Sequence, residues 1–143
     1  MKKAALIILL LVFSCKSQKQ HVEIDKRLNL LVQDGYFPIE NPEIQIIKDS
    51  KSLRTFFSRV NQTRKPGLPI PEVDFNTHSV LAACMGAVDT NALPIMYLKS
   101  ESAEEMVISV QLPNKNKDLD VQSFPFCVYA IFDEGKKLSV EME

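Results

Sequence analysis

The clearest pattern of apolar and polar positions along the chain is that of one amphipathic helix. Four apolar side chains fall at i, i+3, i+4 and i+7: Leu53, Phe56, Phe57 and Val60. This spacing places them on one face of an α-helix. Asp49 or Ser50 can cap the first amide groups, and the prolines between residues 66 and 71 cannot continue the helix. The pattern therefore predicts a helix that begins near residue 50 and ends by Thr63.

From residue 79 onward the pattern is that of β-strands. Residues 80–85 are apolar on both faces, which predicts a central strand in a sheet covered on both sides. Four further strands are predicted, at residues 93–98, 106–112, 126–132 and 137–142. The first two of these pair through residues 99–105, and a turn at 133–135 precedes the last.

Two shorter elements are predicted before the helix. Leu28, Leu31 and Val32 are spaced one helical turn apart, which favours a short helix over residues 27–36 that ends at Gly35. Residues 44–48 have the pattern of a short strand. Taken together, the elements predict an α+β fold, in which one amphipathic helix packs on a largely antiparallel sheet of about five to six strands.

The first fourteen residues carry the pattern of an export signal. Lys2 and Lys3 precede an apolar run over residues 4–13, as in a secretory signal peptide. The run is shorter than the roughly 20 apolar residues that span a bilayer. We therefore expect a signal at 1–14, a polar tether at 15–28 and a single folded domain at 29–143.

The end of this signal resembles the lipobox of bacterial lipoproteins, through Val12-Phe13-Ser14-Cys15. The resemblance implies that Cys15 receives lipid and anchors the protein to a membrane without a transmembrane helix. The alternative is an ordinary signal peptide with an incidental cysteine. In enteric lipoproteins an aspartate after the cysteine directs retention at the inner membrane, and here Lys16 stands there. We expect a cell-envelope protein of the outer membrane, facing the periplasm.

Charge and length narrow the classes of partner. Without residues 1–14 the chain has 129 residues, 15 of them basic and 18 acidic, for a net charge of about −3. This length fits one domain with a single core. The negative balance argues against nucleic acid as a partner.

The cysteines other than Cys15 form a candidate disulfide pair. Cys84 and Cys127 would share an oxidising compartment, where disulfides persist. The alternative is two buried thiols that act as small hydrophobic side chains. A catalytic Cys-His pair is disfavoured, because His78 lies six positions before Cys84 on one predicted strand, roughly 20 Å away. His21 falls in the tether.

A second resemblance covers residues 50–140. This region is similar to the C-terminal domain family of the protease complex subunit PrcB, through the helix residues 53–57, the segment Pro71-Glu72-Val73-Asp74-Phe75, the strand 80–86 and the segment 125–129. The sequence departs from the family where Asp89-Thr90-Asn91-Ala92-Leu93 replaces Thr-Gly-Gly-Tyr. The resemblance implies a noncatalytic envelope domain, which in the family's namesake is an accessory to a surface protease.

The proline-rich loop after the helix is the candidate docking site. Its candidate residues are Pro66, Leu68, Pro69, Ile70 and Pro71. Stiff extended segments bind a partner at reduced entropic cost. The alternative is a rigid crossover whose leucine and isoleucine tuck into the core.

Other individual residues favour structural roles. Asp74 is interpreted as a turn or capping carboxylate in preference to a catalytic one. Gly86 is expected to allow a tight turn, and Phe124-Pro125-Phe126 to supply core and turn residues. No metal-ligand cluster, nucleophile elbow or phosphate loop is readable, so we expect no catalytic residue, metal or cofactor.

Two functional hypotheses follow. The first is a lipid-anchored interaction module that docks on an envelope protein or protease. The second is an enzyme or small-ligand binder, which needs convergent polar groups in a pocket. A pocket containing Asp74 or His78 beside Cys127 would favour the second. A filled core with an exposed apolar patch near Leu68 and Ile70 would favour the first.

Overall fold

The structure, a computed structural model, describes residues 25–113 and 122–143. The predicted signal, Cys15 and most of the predicted tether lie outside the described residues. The elements are β1 (Leu28–Asp34), β2 (Glu43–Ile47), α1 (Ser50–Val60), a 3-10 turn (Asn61–Thr63), β3 (His78–Cys84), β4 (Ile95–Glu101), β5 (Glu105–Gln111), β6 (Phe126–Phe132) and β7 (Lys137–Met142).

The described strands form two sheets, so the predicted α+β class is confirmed and the prediction of one sheet is wrong. One sheet has the order β1-β6-β3-β2 and is antiparallel throughout. The other has the order β4-β5-β7, with β5 and β7 parallel. The turn at residues 133–135 does not return the chain beside β6, because β1 and β3 already occupy both sides of that strand. Lys137 instead donates its backbone N–H to Glu104 O at 2.9 Å, and β7 joins the edge of β5.

The four-stranded sheet is the middle of three layers. Alternation along β3 directs Val80, Ala82 and Cys84 toward the α1 side and Leu81 and Ala83 toward the three-stranded sheet. Every residue of β3 after His78 is buried. The central position predicted for this strand from its apolar character on both faces is therefore confirmed.

Helix α1 closes the outer core as its sequence pattern predicts. Asp49 caps it by accepting a hydrogen bond from Ser52 N at 2.8 Å. The four predicted apolar residues are its buried ones. Phe56 makes edge contacts with the rings of Phe37, Phe57 and Phe126, at centroid distances of 5.6–6.3 Å. These aromatic contacts fix the helix over β6.

The short helix predicted over residues 27–36 is wrong, because this segment is strand β1 paired with β6. A β-bulge between Leu30 and Val32 explains the misleading pattern. The extra residue, Leu31, breaks the two-residue alternation, so Leu28 faces the inter-sheet core while Leu31 and Val32 pack on the helix side. The resulting spacing imitates that of a helix.

The folded part begins before the boundary predicted at residue 29. Leu28 is buried in β1. Arg27 donates to Asp25 at 2.7 Å and to Glu101 at 2.9 Å, and Lys136 also pairs with Glu101. Hydrogen bonds from Arg27 and Lys136 lower the pKa of Glu101 to about 2. This cluster attaches the end of the predicted tether to the three-stranded sheet.

Candidate functional site

The predicted docking loop leaves the 3-10 turn and is held in place by one side chain. Asn61 Nδ2 donates to Leu68 O at 2.8 Å, and Leu68 N donates to Asn61 Oδ1 at 2.7 Å. Together the two bonds resemble the hydrogen bonds between the backbones of two paired strands. Gly67 is required beside them, since a Cβ there would lie 2.9 Å from Asn61 Cγ.

The loop residues divide between the core and the surface. Leu68 is partly buried against the α1-side core, whereas Ile70 is 43% exposed. Pro66 and Pro69 are exposed, and Pro71 is half-buried. The crossover interpretation is thus confirmed for Leu68 and wrong for Ile70. An apolar side chain is left at the surface where the sequence predicted a docking edge.

Ile70 forms one wall of an open groove of about 360 Å³ between α1 and the segment that precedes β3. We call it the α1 groove. It is lined by Ser50, Leu53, Arg54, Ile70, Pro71, Glu72, Val73 and Phe75. The sequence pattern assigned Leu53 to the core and did not predict the helix wall. The sequence did contain one indication of this site, since both the helix and the loop that follows it carry apolar residues.

Two opposite charges stand at the α1 groove, from Arg54 on the helix and Glu72 on the loop. The other three arginines of the chain are each paired with a carboxylate: Arg27 with Asp25 and Glu101, Arg59 with Glu43, and Arg64 with Asp34. Within the described ranges neither the Arg54 guanidinium nor the Glu72 carboxylate makes a hydrogen bond or ion pair. Among the residues that the structure describes, Arg54 is therefore the one arginine without a carboxylate partner.

A second arginine of α1, Arg59, forms an ion pair that stabilises the fold. Arg59 donates through Nη1 and Nη2 to the two carboxylate oxygens of Glu43, each at 2.9 Å, and its guanidinium carbon lies 5.4 Å from the Phe37 ring centroid. The hydrogen bonds from Arg59 lower the pKa of Glu43, and those to Glu43 raise the pKa of Arg59. The pair ties α1 to the edge strand β2.

The second cleft, of about 430 Å³, lies on the other side of α1. It is lined by Gln45, Asp49, Lys51, Ser52, Thr55, Phe56 and Arg59. Most of its polar side chains are engaged within the protein. Asp49 bonds Ser52, Arg59 bonds Glu43, and Thr55 Oγ1 donates to Lys51 O at 3.0 Å. The cleft therefore offers few groups for a ligand.

The candidate disulfide is not formed, and both cysteines are free and buried. In the β3–β6 register Cys127 lies opposite Ala83, and Cys84 lies opposite Phe126. Because neighbours on a strand face opposite sides of a sheet, Cys84 points to the α1-side core and Cys127 to the inter-sheet core. Burial raises the pKa of the Cys84 thiol to about 12 and also raises that of Cys127. Neither thiol has the character of a nucleophile.

Asp74 lies at the turn that leads into β3, and His78 is the first residue of that strand. Asp74 accepts hydrogen bonds from Asn76 N at 3.0 Å and from Thr77 Oγ1 at 3.3 Å, and the Asn76 bonds lower its pKa. The interpretation of Asp74 as a turn carboxylate is confirmed. The ring of His78 hydrogen-bonds Thr77 and lies 5.6 Å from the Phe132 ring. No described pocket brings either residue beside Cys127.

Gly86 and the Phe124-Pro125-Phe126 segment have the structural roles that the sequence predicts. Gly86 has a φ of 71°, and a Cβ there would lie 2.7 Å from Glu40 O. Phe126 is fully buried, and Pro125 O accepts a hydrogen bond from Met85 N at 2.9 Å. These residues shape the end of the sheet opposite the α1 groove.

In residues 25–113 and 122–143 no group of three or more histidine, cysteine, aspartate or glutamate side chains is arranged to hold a metal ion. None of the helices in those ranges combines the length and the apolar character needed to cross a membrane. Comparisons with protein-family models, curated proteins and solved structures find no match to this chain.

Proposed function

We propose that this protein is a lipid-anchored component of the cell envelope that acts as a noncatalytic interaction module, with the α1 groove as its docking surface. Lipid on Cys15 holds the domain at the membrane, where it meets envelope proteins such as a protease. The observation that carries the proposal is the open groove beside α1, where Ile70 is 43% exposed and Pro71, Val73 and Phe75 add partly exposed apolar surface.

The distribution of reactive side chains supports docking over catalysis. Cys84 and Cys127 are buried in separate cores, and Asp74 is engaged in its own turn. An enzyme site requires such groups to converge on one cavity. The groove instead combines a stiff proline-containing wall with a wall supplied by a helix that is fixed by core packing. Such a surface meets a partner with little loss of conformational freedom.

The lipid anchor is tested by labelling cells with radioactive palmitate. The wild-type protein is expected to incorporate the label and to sediment with membranes. Cys15→Ser is expected to lose both properties. Label retained by Cys15→Ser, or an unlabelled wild type, would overturn the anchor.

The docking surface is tested by placing a photo-cross-linking amino acid at Ile70 in the full-length protein in its native host. A matched control carries the same amino acid at Ile46, which is 40% exposed on strand β2 and outside the groove. A discrete cross-linked product at position 70 and none at position 46 supports the proposal. Equal products at both positions, or none at position 70, would contradict it.

A further inference from the structure

The chemistry of the α1 groove defines the kind of segment that fits it. We propose that the groove takes an extended segment of a partner protein in which apolar residues adjoin an acidic side chain, and that this carboxylate pairs with Arg54. The inference rests on the proposed function and specifies the partner that the docking surface selects.

The apolar residues that line the α1 groove indicate that the partner segment carries apolar side chains. The loop side of the groove carries partly or fully exposed apolar side chains, and the buried Leu53 lies at its α1 side. The loop-side residues are Ile70, Pro71, Val73 and Phe75. At about 360 Å³ the groove lies within the size range of protein sites that enclose small ligands or a few side chains. Its open form suits a chain that passes along it. Burial of apolar side chains from the partner supplies the attraction.

The charged part of the proposal follows from Arg54. Guanidinium groups bind carboxylates through paired hydrogen bonds, and Arg27, Arg59 and Arg64 each do so within this fold. Arg54 has no such partner in the described part of the chain, and it stands at the apolar groove. Because Arg54 is exposed, its pairing with a carboxylate adds a modest, directional contribution to the apolar contacts. An acidic side chain next to apolar residues therefore complements this position.

Glu72 carries the opposite charge on the other wall of the groove and allows a second, independent test of the partner's charge. If the partner brings a carboxylate, the negative charge of Glu72 weakens binding. If the partner brings a cation, Glu72 strengthens it. Neutralising each residue in turn thus distinguishes an acidic partner from a basic one by the sign of the effect.

The test is selection of random heptapeptides displayed on phage against the full-length protein in detergent micelles, with Ile70→Asp as the counter-selection protein. We expect enriched peptides that place aspartate or glutamate beside apolar residues. The affinity of one enriched peptide, made with a fluorescent label, is then measured by anisotropy for the wild type and each variant. Peptides enriched without acidic residues, or no enrichment, would overturn the inference.

The variants give quantitative expectations. Arg54→Gln is expected to weaken binding of the peptide about threefold, the scale of an exposed ion pair. Glu72→Gln is expected to tighten it about threefold, since a like charge at an exposed site is removed. Lys51→Gln is the matched control, because Lys51 is an exposed cation of α1 that lines the other cleft. Unchanged affinity in Arg54→Gln, or weaker binding by Glu72→Gln, would overturn the inference.

Failure of this inference is distinguishable from failure of the proposed function. If the cross-linker at Ile70 captures a partner equally in the wild type and in Arg54→Gln, docking stands and the carboxylate pairing fails. If position 70 gives no product in cells, the proposed function fails whatever the peptides show.

Discussion

The side-chain amide of Asn61 pairs with the backbone of Leu68 through both its donor and its acceptor, at 2.8 and 2.7 Å. One residue at the end of the helical region therefore sets the course of the loop that carries Ile70. The loop owes its shape to this contact as well as to its prolines.

Asn61→Ala is expected to loosen the loop. The change leaves the N–H and C=O of Leu68 without their partner, which costs about 1–3 kcal/mol of unfolding free energy for two hydrogen bonds. Urea denaturation measures the cost, and hydrogen exchange at the Leu68 amide reports the local opening. Gln62→Ala is the control, because Gln62 is an exposed neighbour. Equal effects of the two substitutions would contradict the role given to Asn61.

Replacing two glycines by alanine separates backbone strain from steric overlap. Gly86 and Gly135 have similar φ angles, 71° and 76°. The left-handed conformation costs a residue with a Cβ about 1–2 kcal/mol, so Gly135→Ala, with no atom within 4 Å of the new Cβ, should lose that amount. Gly86→Ala should lose clearly more, because its Cβ would overlap Glu40 O. Thermal unfolding of both variants tests the difference, and equal losses would argue against the overlap.

The two buried thiols are expected to remain reduced and unreactive in the folded protein. In a Cys15→Ser variant, where Cys84 and Cys127 are the only thiols, iodoacetamide should add nothing to the native protein and two groups after denaturation, as counted by mass spectrometry. Burial within separate cores is the reason. Labelling of the native protein, or a disulfide formed under oxidising conditions, would contradict the arrangement.

The same burial predicts a loss of stability at alkaline pH. The pKa of Cys84 is about 12 in the fold against 9.0 for an unperturbed thiol. The Cys84 thiol therefore ionises at a lower pH in the unfolded chain than in the fold. Its contribution to the unfolding free energy is complete below pH 9 and is lost as pH rises from 9 toward 12. The unfolding free energy should fall less steeply over this range in Cys84→Ala than in the wild type. Parallel curves would show that Cys84 does not contribute.

The contribution of Glu101 to stability is expected to be lost in acid. Its pKa falls from 4.5 to about 2 in the fold, so its contribution is present above pH 4.5 and is lost as pH falls toward 2. Glu101→Gln should lower the urea midpoint at pH 7, and the difference from the wild type should disappear near pH 2. Glu104→Gln is the control, because the Glu104 side chain takes no part in the Arg27 and Lys136 cluster. A difference that persists at pH 2 would exclude an ionic cause.

Much of the fold could be predicted because its signals are local. The spacing of Leu53 and Phe57 and the cap at Asp49 specify α1, and apolar residues on both faces of β3 specify a central strand. The error at β1 has a local cause as well. The bulge at Leu31 changes the period, and pairing with β6 overrides the helical spacing.

Less of the candidate site could be predicted. The sequence indicated the loop that contains Ile70 as a surface, because prolines stiffen it and apolar residues interrupt it. It did not indicate Arg54 or Glu72, since a charged residue on a helix or loop is ordinary until its neighbours are known. The groove exists only where α1 and the loop come together.

The sequence by itself determined the α+β class, the helix and its buried face, and the strand at the centre of the four-stranded sheet. Only the tertiary structure of the described residues decided that their strands form two sheets, that Cys84 and Cys127 face different cores, and that Arg54 lies at the α1 groove with no ion-pair partner among those residues. The physical reason is the separation along the sequence over which each interaction acts. Periodicity and capping act within one or two turns of chain, whereas strand partners, burial and charge pairing depend on residues that are distant in sequence.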